Sequence, residues 1–375
     1  MSVTHSTVID PKTSYYTRSY SSDRTDLEQD LVKLYTRDLE LTPDRLSAYQ
    51  CKIYPSGMNA IYNLAHCIGL KYPNSVSVIG NELYCDTPRV FDDIAKYTGA
   101  KIVKVHVLDN EGIVNTFKTH GNRIKIFFIE SCTNPSGHLF DWSLVSQLRR
   151  YSPGCIICVD NTWLSPVLFN PLAHGADVIV DSMTKYISAS TRIGGCIVTN
   201  HMIVNDLDIQ LRRMGLNYDS DTCKVVRSNL ASIDERMNKI SEIMRDVIEF
   251  LKSRSEVTRV HHPGSIAGMY AGCISFHVAS NKVNPQASRK VRAKEWDNLK
   301  KLIESLIRTT KLAYETSYGS SYSKIDSFPK EGTSNCRDYM KQSDSVPGVW
   351  LRLSIGYGSC LEDVTSGLEK LLTAM

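Results

Sequence analysis

The sequence predicts an α/β protein with a mainly parallel β-sheet and a smaller α+β domain at its C-terminal end. Two observations predict the sheet. The apolar runs at 101–107, 124–129 and 155–159 are continuous rather than alternating, and helical patterns lie between some of the predicted strands. Such strands are typical of a sheet buried on both faces, and strand–helix alternation is typical of parallel pairing. A third observation predicts the second domain: after about residue 205 the alternation of strand and helix patterns gives way to a long helical pattern.

The first domain follows a polar segment. Residues 1 to about 25 are rich in Ser, Thr and Tyr and predict an extended arm, and 27–35 has the pattern of a short amphipathic helix. From Tyr54 onward, strands and helices alternate. Apolar spacing predicts helices at 58–68, 90–97 and 142–150, and strands at 75–79, 101–107, 124–129, 155–159, 178–180 and 195–199.

The second domain is predicted from a longer amphipathic pattern. The stretch 225–253 carries one apolar stripe and predicts a single long helix. Strands at 257–260 and 272–278 and helices at 296–307 and 361–374 follow, whereas the polar and basic stretch 281–295 predicts a surface loop. We therefore divide the chain into an arm that contacts a neighbouring subunit (1–35), a large domain (36–224) and a small domain (225–375).

The composition is that of an ordinary globular protein, with 42% apolar and 22% charged residues among 375. The net charge of +4 is small and no basic block dominates, which argues against nucleic-acid binding. No apolar run approaches the roughly 20 residues that span a bilayer, and the N-terminus lacks a signal-peptide pattern. The 11 cysteines have no fixed spacing, so a reducing cytoplasm fits better than a disulfide framework. We expect no metal, because no ligand cluster surrounds His261 and His262.

Two charged side chains directly follow predicted buried strands. Asp160 ends the strand at 155–159, where α/β sheets place ligand groups, and a carboxylate there needs a positive partner. Lys185 follows the strand at 178–180, and restricted solvation there would lower its pKa and make its amine a nucleophile. Either residue alone also fits a plainer interpretation, a capping aspartate or a surface lysine.

The turn Ser56-Gly57 opens a predicted helix. Backbone N–H groups of a first helical turn, together with the helix dipole, form a ready phosphate site. Ser is also a common N-cap where no ligand binds, so this turn alone decides nothing.

Taken in this order, these features resemble the Cys/Met-metabolism family of pyridoxal 5′-phosphate (PLP) enzymes, which contains cystathionine γ-synthase and the cystathionine lyases. The motifs are SGMNAI (56–61), ELYCDTPRVF (82–91), ESCTNPSG (130–137), VDNTW (159–163), ADVIVDSMTKY (176–186) and WLRLSIG (350–356). The resemblance covers nearly the whole chain. It implies the aspartate-aminotransferase-like fold (PLP fold type I), PLP as cofactor, an amino-acid substrate, and a homo-oligomer that is usually a tetramer of two active dimers.

The resemblance also implies roles for residues around the cofactor. Lys185 would form an imine with PLP and later move protons between substrate carbons, Asp160 would keep the pyridine nitrogen protonated, and Tyr84 would stack on the ring and act in acid/base steps. The remaining cofactor contacts would be the backbone amides of Gly57 and Met58, the hydroxyls of Ser182 and Thr184, and Thr162 beside the ring.

Further implied roles concern the substrate and the neighbouring subunit. Arg352 matches the arginine that binds the substrate α-carboxylate, and Asn134 and Ser317 match positions at the same end of the pocket. Tyr16 and Arg18 match the family's Tyr-x-Arg, which reaches the phosphate in the neighbouring subunit, a task suited to a bidentate guanidinium.

The chain departs from the family pattern mainly in loops. Cys85 replaces the usual Gly after the tyrosine, Asp181 stands where His is common, and Thr316 stands where γ-synthases and γ-lyases usually keep Glu. The segments 188–191 and 228–232 also differ, and the arm lacks the usual Gly-Asn-Pro. These changes spare the lysine, the aspartate and the arginine, and they alter the loops that choose among leaving groups.

The function implied is that of a PLP-dependent lyase or transferase of sulfur amino-acid metabolism. The reaction would be β- or γ-elimination, or γ-replacement, on cystathionine or an activated homoserine, and we favour the γ-type. The alternative is a PLP-binding or cofactor-free homologue with a regulatory or scaffold role, which the altered arm and loops motivate. A third hypothesis is another reaction of fold-type-I enzymes, such as decarboxylation, because the fold alone does not exclude it.

Overall fold

The larger sheet of the computed structural model has seven strands in the order β1-β7-β6-β5-β4-β2-β3. The structure describes residues 21–284, 286–328 and 347–375. The strands of this sheet are β1 (Gln50–Tyr54), β2 (Val76–Gly80), β3 (Lys101–Val105), β4 (Ile124–Glu130), β5 (Ile156–Asp160), β6 (Val178–Asp181) and β7 (Gly195–Thr199). Strand β7 is antiparallel to β1 and β6, and the other neighbouring pairs are parallel. The predicted α/β fold with a mainly parallel sheet is confirmed.

Two separate hydrophobic cores cover the two faces of this sheet. Neighbouring residues of β4 belong to different cores, because successive side chains of a strand point to opposite faces. Ile126 and Phe128 pack with helices on one face, and Phe127 and Ile129 pack on the other. Strands covered on both sides therefore read as continuous apolar runs, which is the pattern that predicted most of them. The prediction is wrong for the run at 101–107, because β3 is an edge strand in which Lys101 and Lys104 are exposed.

The helices around the large sheet begin and end close to the predicted limits where the apolar pattern was strong. They are α1 (Ser22–Thr36), α2 (Pro43–Ser47), α3 (Gly57–Lys71), α4 (Thr87–Thr98), α5 (Asn110–His120), α6 (Val145–Tyr151), α7 (Ser165–Leu168), α8 (Ile203–Met214) and α9 (Ser220–Leu230). The sequence analysis did not predict α5, α8 or the edge strand β1. No helix of the described ranges is both long and apolar enough to cross a membrane.

The described part of the predicted arm is a helix in the core of its own chain. Leu27, Leu31 and Tyr35 of α1 are fully buried, and α1 packs against β1 and α9. The extended arm predicted to about residue 25 is therefore wrong from Ser22 onward, because burial of one apolar face stabilises a helix there. Residues 1–20 lie outside the described ranges.

The second sheet has five strands in the order β12-β13-β14-β11-β8. Its strands are β8 (Val257–His261), β11 (Cys273–Ala279), β12 (Ala313–Tyr314), β13 (Lys324–Phe328) and β14 (Gly348–Ser354), and a two-stranded ribbon pairs β9 (Ser265–Ile266) with β10 (Met269–Tyr270). The helices that accompany it in the described part of the chain are α10 (Ile233–Lys252), α11 (Arg289–Ile307) and α12 (Leu361–Thr373).

Two predictions for this region are corrected. The single helix at 225–253 is divided between α9 and α10, because the side chains of Ser232 and Arg236 bond the carbonyl of Asn229 at 3.2 and 2.8 Å. The predicted loop at 281–295 is helical from Arg289, since α11 buries Leu299 and Ile303 while its basic side chains serve as good helix formers.

Candidate active site

A cavity of about 450 Å³ lies at the carboxyl ends of the central parallel strands. Strands β4 and β5 end there at Glu130 and Asp160, and α3 begins there at Gly57. The small domain completes the wall with the segment 316–318 and β14. The predicted site residues that line this cavity are Gly57, Met58, Tyr84, Asn134, Asp160, Thr162, Ser182, Thr184, Lys185, Ser317 and Arg352. The other two predicted residues, Tyr16 and Arg18, lie outside the described residues.

Asp160 is a buried carboxylate at the last position of β5. Its Oδ1 accepts hydrogen bonds from the N–H of Thr162 at 2.9 Å and from the hydroxyl of Thr162. Burial raises the pKa of Asp160, and the Thr162 bonds and the charge of Lys185 act against that rise. Because both of these side-chain hydrogen bonds fall on Oδ1, Oδ2 can face a cationic partner in the cavity.

Lys185 extends its amine into the cavity. Its Nζ donates a hydrogen bond to Ser317 Oγ at 2.7 Å and lies 5.3 Å from the centre of the Tyr318 ring. Burial lowers the pKa of Lys185, and the charge of Arg352 lowers it further. Both effects increase the neutral fraction of the amine, which is the nucleophilic form.

The backbone beside Lys185 requires glycine at position 319. Gly319 has φ +90, and a Cβ there would lie 2.5 Å from the carbonyl carbon of Lys185. Only a residue without a side chain allows this close approach, so Gly319 sets the position of the Ser317 hydroxyl that accepts from the lysine.

The start of α3 forms a cradle of backbone donors. Ser56 caps the helix, and Gly57 and Met58 face the cavity with the hydroxyl-bearing residues Ser182 and Thr184. A Cβ on Gly57 would lie 2.9 Å from the Cβ of Ser182, so glycine keeps the space between helix and strand open. First-turn N–H groups beside two hydroxyls are a suitable site for a phosphate.

Arg352 is buried in β14 and points across the cavity from the opposite domain. Its Nη2 donates to Thr316 Oγ1 at 2.9 Å, and its Nη1 donates to Asn134 Oδ1 at 3.3 Å. Asn134 precedes Pro135 through a cis peptide bond. These contacts orient a planar guanidinium that can bind a carboxylate with two parallel bonds.

Tyr84 lies at the rim, with 43% of its surface exposed. Its backbone N–H donates to Glu130 Oε1, which ties the loop after β2 to the end of β4. Glu130 is buried, and burial together with the nearby Asp160 raises its pKa well above the ordinary value. A neutral Glu130 can therefore lie beside an ionised Asp160 without adding a second buried charge.

Glu130, Trp163 and Tyr318 are among the residues that line this cavity and that the sequence analysis did not predict. Glu130 ends a predicted strand, as Asp160 does, and that signal could have found it. Tyr318 packs against Trp163, with the ring centres 5.7 Å apart, and against Tyr186 at 5.3 Å. No local pattern marks Trp163 or Tyr318, because their place in the wall depends on contact between distant segments.

The donor set of this cavity fits PLP. It offers a phosphate cradle at Gly57, a buried carboxylate without a cationic bond on one oxygen, and an amine of lowered pKa. A carboxylate, a lysine and helix N–H groups are the groups that a pyridine ring, an aldehyde and a phosphate require, respectively.

Comparison with known proteins supports PLP as the cofactor. The family model described as "Cys/Met metabolism PLP-dependent enzyme" matches residues 2–373. Cystathionine beta-lyase of Neurospora crassa is 28% identical over 252 residues, which are 66% of this chain and 51% of that protein, and the Schizosaccharomyces pombe enzyme of the same name is 25% identical over 95% of this chain and 86% of its own. The matched part thus spans about half the length of the Neurospora relative.

Solved structures show the same fold. The cystathione gamma lyase CalE6 from Micromonospora echinospora superposes with a TM-score of 0.78 at 22% identity, over 98% of this chain and 90% of that chain. The metB structure from Corynebacterium glutamicum gives 0.76 at 24% identity, over 97% of this chain and 88% of that one. At such identities the likeness supports the fold, and the site must be judged from its own residues.

Proposed function

Because this chain belongs to the family of Cys/Met metabolism PLP-dependent enzymes, we propose that it is a PLP-dependent carbon–sulfur lyase or transferase. Its substrate would be cystathionine or an activated homoserine, and its reaction β- or γ-elimination or γ-replacement. The observation that carries the proposal is the meeting of Lys185, Asp160 and Arg352 in one cavity, since each supplies a different requirement of this chemistry.

The large domain would hold the cofactor. The amides of Gly57 and Met58 and the hydroxyls of Ser182 and Thr184 would bind its phosphate, and Asp160 would keep the ring nitrogen protonated. When bound, PLP supplies an electron sink for charge that develops at the substrate Cα. Asp160 would raise that capacity, because its buried negative charge would stabilise the protonated ring nitrogen.

The substrate would lie between the two domains. Arg352, oriented by Asn134 and Thr316, would bind the α-carboxylate and so present the Cα hydrogen to the amine of Lys185. The lowered pKa of Lys185 favours a neutral amine that can accept this proton. Ser317 accepts a hydrogen bond from the same amine and would hold it near the reacting carbons.

The γ-type reaction needs a second proton transfer at Cβ, and Lys185 would serve both carbons. Tyr84, at the rim, would assist proton transfer to the leaving group. We further propose a cytoplasmic homo-oligomer, a dimer of dimers, in which Tyr16 and Arg18 reach a neighbouring cofactor. In the proposed division into arm, large domain and small domain, the arm ends before α1 and the small domain begins at α10, because the predicted limits at residues 35 and 224 lie inside α1 and α9.

Replacement of Lys185 by Ala tests the proposal. The purified chain should take up PLP, give the visible absorbance of lysine-bound cofactor, and retain it on Lys185 after borohydride reduction, as mapped by mass spectrometry. It should also release a keto acid from a panel of cystathionine, methionine, cysteine and O-acylhomoserines. Lys185→Ala should lose both properties, whereas Lys104→Ala, at an exposed strand position, should keep both.

Two results would contradict the proposal. Attachment of PLP at a different lysine would remove the assigned site. Uptake of PLP at Lys185 without keto acid from any member of the panel would favour the regulatory or scaffold homologue instead.

A further inference from the structure

A second cluster of ionisable side chains lies next to the cavity but does not line it. Glu82 follows β2, His106 follows β3, and His138 lies in the loop after β4. Oε1 of Glu82 is 3.8 Å from Nε2 of His106 and 3.9 Å from Nδ1 of His138, and one ligand atom from each residue lies within 4.8 Å of the other two. The proposed reaction uses none of these side chains.

The burial of the Glu82 carboxylate without hydrogen bonds requires a physical explanation. Its side chain is only 1% exposed, and neither carboxylate oxygen accepts a hydrogen bond from the described protein. A buried carboxylate is costly unless it is paired or bound to a metal. Two imidazole nitrogens at nearly equal distances from one of its oxygens provide the remaining donors of a transition-metal site.

We propose that Glu82, His106 and His138 bind one divalent transition-metal ion, with Zn²⁺ as the ion that suits two imidazoles and a carboxylate in an N/O site. Ligand atoms bonded to one zinc ion at roughly 2.0–2.2 Å lie about 3.4 Å apart in a tetrahedral site, so the two distances from Glu82 must shorten by about 0.5 Å. The two nitrogens, which lie within 4.8 Å of each other, must approach by about 1.4 Å at most. The side chains of His106 and His138 are 25% and 21% exposed, so solvent water can fill a further coordination position.

Metal binding would change the tautomer of His106. Its Nδ1 accepts a hydrogen bond from the N–H of Leu108 at 3.2 Å, which places the proton of the neutral ring on Nε2. Coordination through Nε2 moves that proton to Nδ1 and releases the Leu108 N–H to solvent, since this contact is exposed. Loss of one long hydrogen bond lowers the metal affinity by roughly tenfold at most, which three metal–ligand bonds exceed by orders of magnitude.

The ion would be structural and would fix the loops that reach the cavity. Glu82 lies two residues before Tyr84, and His138 lies four residues after Asn134, so the ion would join the two loops that carry these cavity residues. The ring of His138 is also 6.1 Å from that of His261 in β8, centre to centre, which places the site beside the small domain. A metal here would therefore hold the large-domain rim in one conformation.

The test uses the full chain without a polyhistidine tag, stripped with a chelator and titrated with Zn²⁺ by calorimetry. One Zn²⁺ should bind per chain, and Co²⁺ in its place should give the visible bands of a low-symmetry site with nitrogen ligands. Glu82→Gln and His138→Asn should each weaken Zn²⁺ binding by more than tenfold, because loss of even an outer-shell partner costs roughly 10–100-fold. His120→Asn, which changes a histidine at the end of α5, is the matched control and should bind as the wild type does.

Equal Zn²⁺ binding by all four proteins would overturn the proposal, as would the absence of stoichiometric binding by the wild type. In either case the cluster would be a buried carboxylate beside two imidazoles, without a metal. Circular dichroism of each variant establishes that it is folded, and the conservative Glu82→Gln replaces His138→Asn as the deciding variant if the latter is not. The readout does not depend on PLP, so its failure leaves the proposed enzymatic function untouched.

Discussion

Addition of one methyl group at Gly57 should close the phosphate cradle. In Gly57→Ala the new Cβ would lie 2.9 Å from the Cβ of Ser182 and 3.1 Å from its hydroxyl oxygen. Favourable carbon–carbon contacts begin near 3.5 Å, so the start of α3 must move away from Ser182 by about 0.6 Å. Overpacking of this size costs about 1–3 kcal/mol. Because Ser182 and the amides of Gly57 and Met58 are the proposed phosphate donors, we expect the cost to fall on cofactor binding.

The corresponding loss of PLP affinity is roughly 5–150-fold. It can be measured by equilibrium dialysis against PLP, with visible absorbance as the readout and thermal unfolding of the cofactor-free protein as a check on folding. Gly154→Ala is the matched control, because a Cβ there would meet only the amine of Lys125, at 3.7 Å. It should bind PLP as tightly as the wild type.

A double-mutant cycle separates the steric effect from the loss of a phosphate ligand. Ser182→Gly removes the atoms that the new Cβ would contact most closely, so Gly57→Ala should cost less in that background than in the wild type. Wild-type PLP affinity in the Gly57→Ala single variant would refute the assignment of this cradle to the phosphate. An equal cost in both backgrounds would show that Ser182 is not the contact responsible.

Two further predictions concern buried charges. Burial raises the pKa of Asp181 from its ordinary value to about 7, so the folded state holds a proton that the unfolded state releases above about pH 4. Stability should therefore fall as pH rises from about 4 to about 7, by roughly 4 kcal/mol at most. In Asp181→Asn the stability should change less over this pH range. If the reasoning is wrong, the melting temperatures of the wild type and of Asp181→Asn will change in parallel with pH. Arg352→Lys should raise KM for the amino-acid substrate by about 10-fold or more, since an ammonium cannot form the two parallel bonds to a carboxylate. PLP affinity should stay unchanged, and a variant that lost PLP instead would place Arg352 on the cofactor.

The sequence predicted those parts of the fold and site that depend on local pattern. Strands β2, β4, β5, β6 and β7 were found because both of their faces are buried, which leaves continuous apolar runs. Asp160 was found because it directly follows such a run, and Lys185 because it comes shortly after one, and the family resemblance gave both residues their roles. The family resemblance then supplied residues that no local pattern marks, such as Arg352 and Asn134.

What could not be predicted depends on contacts between distant segments. The break between α9 and α10 rests on side-chain bonds to the Asn229 carbonyl. Helices α5 and α8, by contrast, carry apolar residues at helical spacing that could have predicted them. The expectation that the chain binds no metal came from the surroundings of His261 and His262. It did not consider Glu82, His106 and His138, which come from three separate loops and share no sequence spacing.

The departures from the family pattern differ in whether they line the cavity, and only those that do can affect the choice of substrate directly. Asp181, where His is common, is buried and accepts a hydrogen bond from the Tyr35 hydroxyl at 2.7 Å, so this change is accommodated by α1 and not by the cavity. The altered segments 188–191 and 228–232 contact each other, since Asn229 donates to the Thr191 hydroxyl at 3.0 Å.

Thr316 and Cys85 differ from these departures, because both line the cavity and Thr316 accepts a hydrogen bond from Arg352. A glutamate at position 316 would place a negative charge beside that arginine and compete with a substrate carboxylate for it, whereas the neutral Thr316 only accepts a hydrogen bond from the guanidinium. Any difference in substrate choice between this protein and its relatives should therefore be sought at positions 85 and 316. The changes at 181, 188–191 and 228–232 are matched within the chain itself and leave the proposed chemistry of Lys185 and Asp160 in place.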